Sequence, residues 1–208
     1  MESIHLENRR PGLLMQNYSV FRFALYLALI AYGVNVPAQA EAFSLKGTMW
    51  ERGAVNAPCK LDPLLLYAVA LKESRGSAGS GLISPQPYAL RNGPSGNVYP
   101  KSLGEARILL RRYLAEDNLT DIGIMQINYR WNGNRVRKPE DLLEPEVNIK
   151  TGSKILCESI ALNPSDIQLA IGGYHTMNPT RELDARSYAA DVIGIWRSIQ
   201  RLNAQGKE

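Results

Sequence analysis

The chain has 208 residues, 45% of them hydrophobic, and a formal net charge of +4, which is enough material for one well-buried core and little room for a second. The mild positive excess contains no basic run with interleaved aromatics, so it gives no footing for a nucleic-acid-binding surface; an anionic polymer or plain water suits it equally. With two cysteines far apart and two histidines, His5 and His175, there is no CxxC motif and no ligand set for zinc, and neither a metal nor another cofactor is expected.

In chain order, the first feature is the apolar stretch from Phe23 to Val36, preceded by Arg22. It falls short of the roughly 20 residues that cross a bilayer, which suits a secretory signal better than a membrane span. Pro37-Ala38-Gln39-Ala40 then offers small residues at signal-peptidase spacing, so residues 1–40 read as a signal peptide and residues 41–208 as one exported, periplasmic domain. Losing three arginines and two glutamates with that leader leaves a charge of +3. Export places Cys59 and Cys157 in an oxidising compartment, where one disulfide can form.

From Leu61 the sequence LDPLLLYAVALKESRG predicts a helix with Asp62 as N-cap, Pro63 in the first position and Gly76 as stop. Its apolar residues run around most of its circumference, the mark of a helix buried in a core. Glu73 stands at its C-terminal end, where the negative pole of the helix and apolar neighbours both disfavour ionisation. A carboxyl so placed keeps its proton longer than a solvated one, as a general acid requires. A surface glutamate beside Lys72 or Arg75 is the plainer alternative.

Residues 76–101 are rich in Gly, Ser, Pro and Asn, and the apolar pieces flanking Asn92 to Gly96 predict a small β-hairpin. Ser102 and Glu105 form a capping box that opens a helix over 102–117. Asp121 to Asn128 is a compact turn-and-apolar unit in which Gln126 and Asn128 project amides suited to sugar hydroxyls and N-acetyl groups, or to loop backbone. Helices are then expected over 146–160, 165–174 and 181–202, the last carrying Tyr188, Val192, Ile195, Trp196 and Ile199 on one face. The fold class is mainly α, a single domain with a small β-hairpin insertion.

Four short motifs occur in order: Glu73-Ser74 after an apolar helix; Gly123 to Asn128, reading Gly-Ile-Met-Gln-Ile-Asn; Asn148-Ile149-Lys150-Thr151-Gly152; and Gly173-Tyr174-His175. Together, over residues 57–178, they resemble the soluble lytic transglycosylase family, whose fold is lysozyme-like. Ile124 replaces the family's Leu, and His175 stands where its Asn would be. The segment 85–117 between the first two motifs looks like the insertion of the branch associated with conjugation and type IV secretion, whose proteins would then be partners.

The resemblance implies peptidoglycan glycan strands as substrate and Glu73 as the single catalytic acid and base. Glu73 would protonate the glycosidic oxygen between N-acetylmuramic acid and N-acetylglucosamine, then take the proton of the C6 hydroxyl as its oxygen closes a 1,6-anhydro ring. It also implies substrate-binding roles for Ser74, Met125, Gln126, Asn128 and Tyr174, with Ser74 bonding near Glu73, Met125 and Gln126 lining the cleft, and the Tyr174 hydroxyl orienting Glu73. Asn148 and Gly152 read as structural, the first as a helix cap and the second as a close-packing point, and Asp121 reads as a local Asx cap. Trp131 and Tyr129 are candidates for stacking on sugar faces, or for the core. The competing functions are a lysozyme-type hydrolase and a non-catalytic wall-binding assembly factor.

Overall fold

A computed structural model describes residues 43–205; the expected signal peptide lies outside the described residues. The first element among the described residues is a short helix, α1 (Met49–Val55). The buried helix follows as α2 (Pro63–Ser74). Asp62 caps it as expected, accepting from the Leu64 amide at 2.8 Å. The second carboxylate oxygen of Asp62 accepts the Trp196 indole N–H at 2.8 Å, so one side chain both starts the helix and ties it to the C-terminal helix.

Two hairpins follow. The first, β1 (Arg75–Gly79) with β2 (Leu82–Pro85), has no alternating apolar face and was not expected from the sequence. The second, β3 (Leu90–Asn92) with β4 (Gly96–Val98), is the expected one, turning at Gly96 with a positive φ of 69°. Next come α3 (Leu103–Glu116), β5 (Asp121–Ile122) and β6 (Ile127–Asn128). Ser102 caps α3, but the Glu105 carboxylate reaches the amide of Lys101, one residue before the position a capping box requires.

The short helix α4 (Tyr129–Asn132) and two 3-10 turns lead into α5 (Pro145–Leu162), α6 (Ile167–Gly172) and α7 (Glu182–Gln205). The described residues are thus mainly helical with small antiparallel sheets. Helices α1, α5 and α7 pack around α2 or its neighbours, and their buried Leu66, Val69, Ile149, Leu156, Ala189 and Val192 belong to one apolar cluster. Cys59, ahead of α2, is disulfide-bonded to Cys157 on α5. None of the described helices is long and apolar enough to cross a membrane.

The second sheet, in the order β4-β3-β5-β6, is antiparallel throughout. Its register aligns Val98, Leu90, Ile122 and Ile127 across the four strands, and beside them Asn97, Arg91, Asp121 and Asn128. Because side chains alternate along a strand, the apolar row enters the core and the polar row faces the opposite way. That second row forms one wall of the cleft.

Candidate active site

Glu73 sits on the last turn of α2 where two lobes of one cleft meet. One lobe, about 600 Å³, is walled by Lys72, Arg75, Asn97, Tyr99, Ser187 and Asp191; the other, about 700 Å³, by Asp121, Gln126, Asn128, Trp131, Tyr174 and Thr176. Glu73, Arg91, His175 and Arg181 line both. Each lobe falls within the range of small-ligand sites, and their junction at Glu73 admits a chain that extends to either side of one carboxyl.

The carboxyl is pushed up from its usual value to about 7. Burial is the largest cause, and the charge of Asp121 adds to it; a hydrogen bond from Tyr188 and the charges of Arg91 and Lys72 pull the other way. The Tyr188 hydroxyl donates to Oε1 at 2.6 Å, leaving Oε2 free to carry and deliver a proton. Tyr188 is itself buried, and its own ionisation is pushed far above the usual range, first by burial and then by the Glu73 charge. It therefore stays protonated, and a donor, at neutral pH.

The ring of Tyr188 stacks on His175 at 5.1 Å and on Tyr174 at 6.5 Å, with the Lys72 ammonium 5.9 Å from its centroid. Burial first, then the charges of Arg181 and Arg91, hold the His175 imidazole below its usual range. At neutral pH it is an uncharged platform for Tyr188.

The expectation that Tyr174 orients Glu73 is not met. Its hydroxyl donates instead to the Met125 carbonyl at 2.7 Å, beside the close approach of α5 at Gly152. A Cβ at Gly152 would come within 2.8 Å of Met125 Cε and 3.1 Å of the Tyr174 oxygen, which bears out Gly152 as a close-packing point. Tyr174 still lines the cleft, but its polar tip is spent on the floor.

Ser74 and Met125 are also not where a substrate contact would be. Ser74 is buried, its hydroxyl donating to the Ile124 carbonyl at 2.6 Å and accepting the Gln86 amide at 3.2 Å. It fastens the end of α2 to the second motif. Met125, within that motif, is wholly buried. Among the other motif residues, Gln126 and Asn128 do line the cleft. The Gln126 amide nitrogen is held by the carbonyls of Ala89 and Gly123 at 3.0 and 2.9 Å, fixing a residue at positive φ while its oxygen is left for a ligand.

Asn148 is structural, though not as a cap, since Glu144 holds that position. It is fully buried, accepts the Met125 amide at 2.8 Å, and donates to the carbonyls of Ile122 and Leu142 at 2.8 Å each. The bonds to Met125 and Ile122 hold the second motif and the bond to Leu142 ties it to the turn before α5, and Gly123, at φ 78°, admits the Asn148 amide where any Cβ would collide with it. Trp131 is 69% exposed on the cleft wall, with Arg130 over its ring at 5.2 Å, whereas Tyr129 packs on the core. The stacking candidate is therefore Trp131.

Asp121 is not an Asx cap. It is a strand residue, nearly buried, whose Oδ2 accepts Arg91 Nε at 2.9 Å and Nη2 at 2.7 Å and whose Oδ1 accepts Asn128 Nδ2 at 2.8 Å. Asn128 Oδ1 is buried without a partner. Sequence reasoning passed over Arg91 and Tyr188: Arg91 alternates with the core residue Leu90 in the expected hairpin, a readable signal, while Tyr188 belonged to an apolar helix face and nothing local singled it out. Among the described residues no group of His, Cys, Asp and Glu is placed to hold a metal ion.

A family model described as Transglycosylase SLT domain matches residues 55–184, a span that takes in Glu73, the second motif and Tyr174 but stops short of Tyr188. No curated protein and no solved structure matches the chain.

Proposed function

The chain belongs to the transglycosylase SLT domain family, and from that premise we propose that it is a peptidoglycan lytic transglycosylase with Glu73 as its one acid and base. The observation that carries the reading is a single carboxyl, raised to about 7, at the meeting point of two cleft lobes. At neutral pH a large fraction of Glu73 holds a proton, which it delivers from Oε2 to the glycosidic oxygen between N-acetylmuramic acid and N-acetylglucosamine. The carboxylate left behind, steadied by the Tyr188 hydroxyl, takes the proton of the C6 hydroxyl as that oxygen bonds to C1. The product is a 1,6-anhydro end, and no water is consumed.

Gln126 Oε1 is placed to accept from the substrate, and Trp131 to stack on a sugar face. The cleavable sequence Pro37 to Ala40 supports export to the periplasm. The insertion between the first two motifs, built as β3, β4 and α3, supports a role in opening the wall locally for an envelope-spanning secretion or conjugation system.

A lysozyme-type hydrolase is the second reading, favoured by Asp121, a carboxylate in the same cleft, since hydrolytic glycosidases work with two. A purely wall-binding factor has no need of a carboxyl held at about 7. The test is release of soluble muropeptides from sacculi by the purified protein and by Glu73→Gln. The variant keeps the side-chain shape without a transferable proton, so release should fall at least about a hundredfold with the circular dichroism spectrum unchanged. Equal release from both proteins would remove Glu73 from the mechanism.

A further inference from the structure

The polar row on the second sheet contains a carboxylate that the ring-closing reaction does not use. Asp121 lines the same lobe as Glu73, and its charge is felt there. Yet both of its oxygens are occupied, Oδ2 by two nitrogens of Arg91 and Oδ1 by Asn128. Asn128 serves it while its own Oδ1 stays buried and unpartnered, so the arrangement satisfies Asp121 ahead of Asn128.

Arg91 holds Asp121 from the exposed side: half of its side chain is open to the cleft, against 12% for Asp121. Register places the two directly opposite on β3 and β5, so the pairing is fixed by the sheet and does not depend on a mobile loop.

We propose that Arg91 decides the fate of the cleaved sugar: by occupying Asp121 it keeps that carboxylate from activating water, and without Arg91 the same site hydrolyses the glycan. The inference rests on the transglycosylase reading above. In both outcomes Glu73 gives its proton to the leaving oxygen and the bond from C1 to that oxygen breaks. With Arg91 present, the C6 oxygen bonds to C1 and its proton returns to Glu73.

With Asp121 released, a water oxygen bonds to C1 and the water proton passes to the Asp121 carboxylate. Asp121 then loses it to solvent, and Glu73 regains one from solvent. The net change is addition of one water across the glycosidic bond, the two-carboxylate scheme of ordinary glycosidases. A merely structural ion pair between neighbouring strands would alter rate or stability on removal, but not which product forms.

Product identity is therefore the readout. The purified full chain and its variants digest sacculi in water enriched in oxygen-18, and the released ends are separated by mass into 1,6-anhydro and labelled reducing forms. Arg91→Met, which keeps the stem but has no donor, is expected to raise the reducing share at least tenfold over the unsubstituted protein. Adding Asp121→Asn to it should restore the anhydro pattern. Asp121→Asn alone, with Arg91 in place, should still give anhydro ends, whatever its rate.

An Arg91→Met protein with the original product ratio would overturn the proposal, as would a double variant that still hydrolyses, or a folded Arg91→Met that releases nothing. Reducing ends from the unsubstituted protein would mark a different failure, that of the transglycosylase reading itself.

Discussion

At Glu73 the affinity for a proton is a balance in which burial outweighs one hydrogen bond and two nearby cations. Tyr188 supplies the hydrogen bond, which favours the ionised form and lowers the value. Replacing Tyr188 with Phe removes that pull, so Glu73 should titrate above 7 and the alkaline limb of kcat/KM should move up by about one unit, the equivalent of a charged hydrogen bond of about 1.5 kcal/mol. On the proposed mechanism the protonated form begins the cycle, so the rate should fall as pH rises through the Glu73 value, and the variant's fall should come later. The maximal rate should drop about tenfold or more, because the carboxyl loses its fixed orientation. An alkaline limb that stays in place, measured across pH 5 to 9, would show that Tyr188 does not act on Glu73.

Among the elements, the second motif owes its form to a helix far from it in sequence. Asn148, in the first turn of α5, makes two hydrogen bonds to that loop and its flank, and a third to Leu142 in the turn before α5, from a fully buried position. Asn148→Ala would strand the Met125 amide and the carbonyls of Ile122 and Leu142, and should lower stability by about 2–4 kcal/mol in urea unfolding. A loss below about 0.5 kcal/mol would mean that water or a relaxed loop satisfies those groups. The helices themselves were legible where chain chemistry is local: Asp62 and Pro63 start α2, Ser102 starts α3, and the Asn92 to Gly96 turn marks its hairpin. The α1 helix and the hairpin of β1 and β2 were not, since the first has seven residues and the second draws on Gly and Ser with an exposed pattern. Arg91 with Asp121, and Tyr188 with Glu73, pair across 30 and 115 positions. Such pairs exist only once strands register and α7 packs on α2, so the sequence points to Tyr174, inside the fourth motif, while the hydroxyl that reaches Glu73 is that of Tyr188.

At the scale of the whole molecule, the disulfide joins the segment before α2 to α5 across a separation of 98 residues. A loop of that length, closed in the unfolded chain, is worth about 4–5 kcal/mol on the chain-entropy estimate. Cys59→Ser with Cys157→Ser should therefore shift the urea midpoint sharply downward, by the equivalent of about 3–5 kcal/mol, and an unmoved midpoint would show that the link adds nothing to the packing around it. The cleft is shaped by all these parts together: α2 brings the acid, α7 its hydroxyl partner, and the second sheet the polar wall that faces both. On the proposed mechanism one carboxyl, Glu73, cleaves the strand without water. The most direct measurement is mass analysis of muropeptides released from purified sacculi in water enriched in oxygen-18. Unlabelled 1,6-anhydro ends are the expected result, and labelled reducing ends as the main product would contradict it.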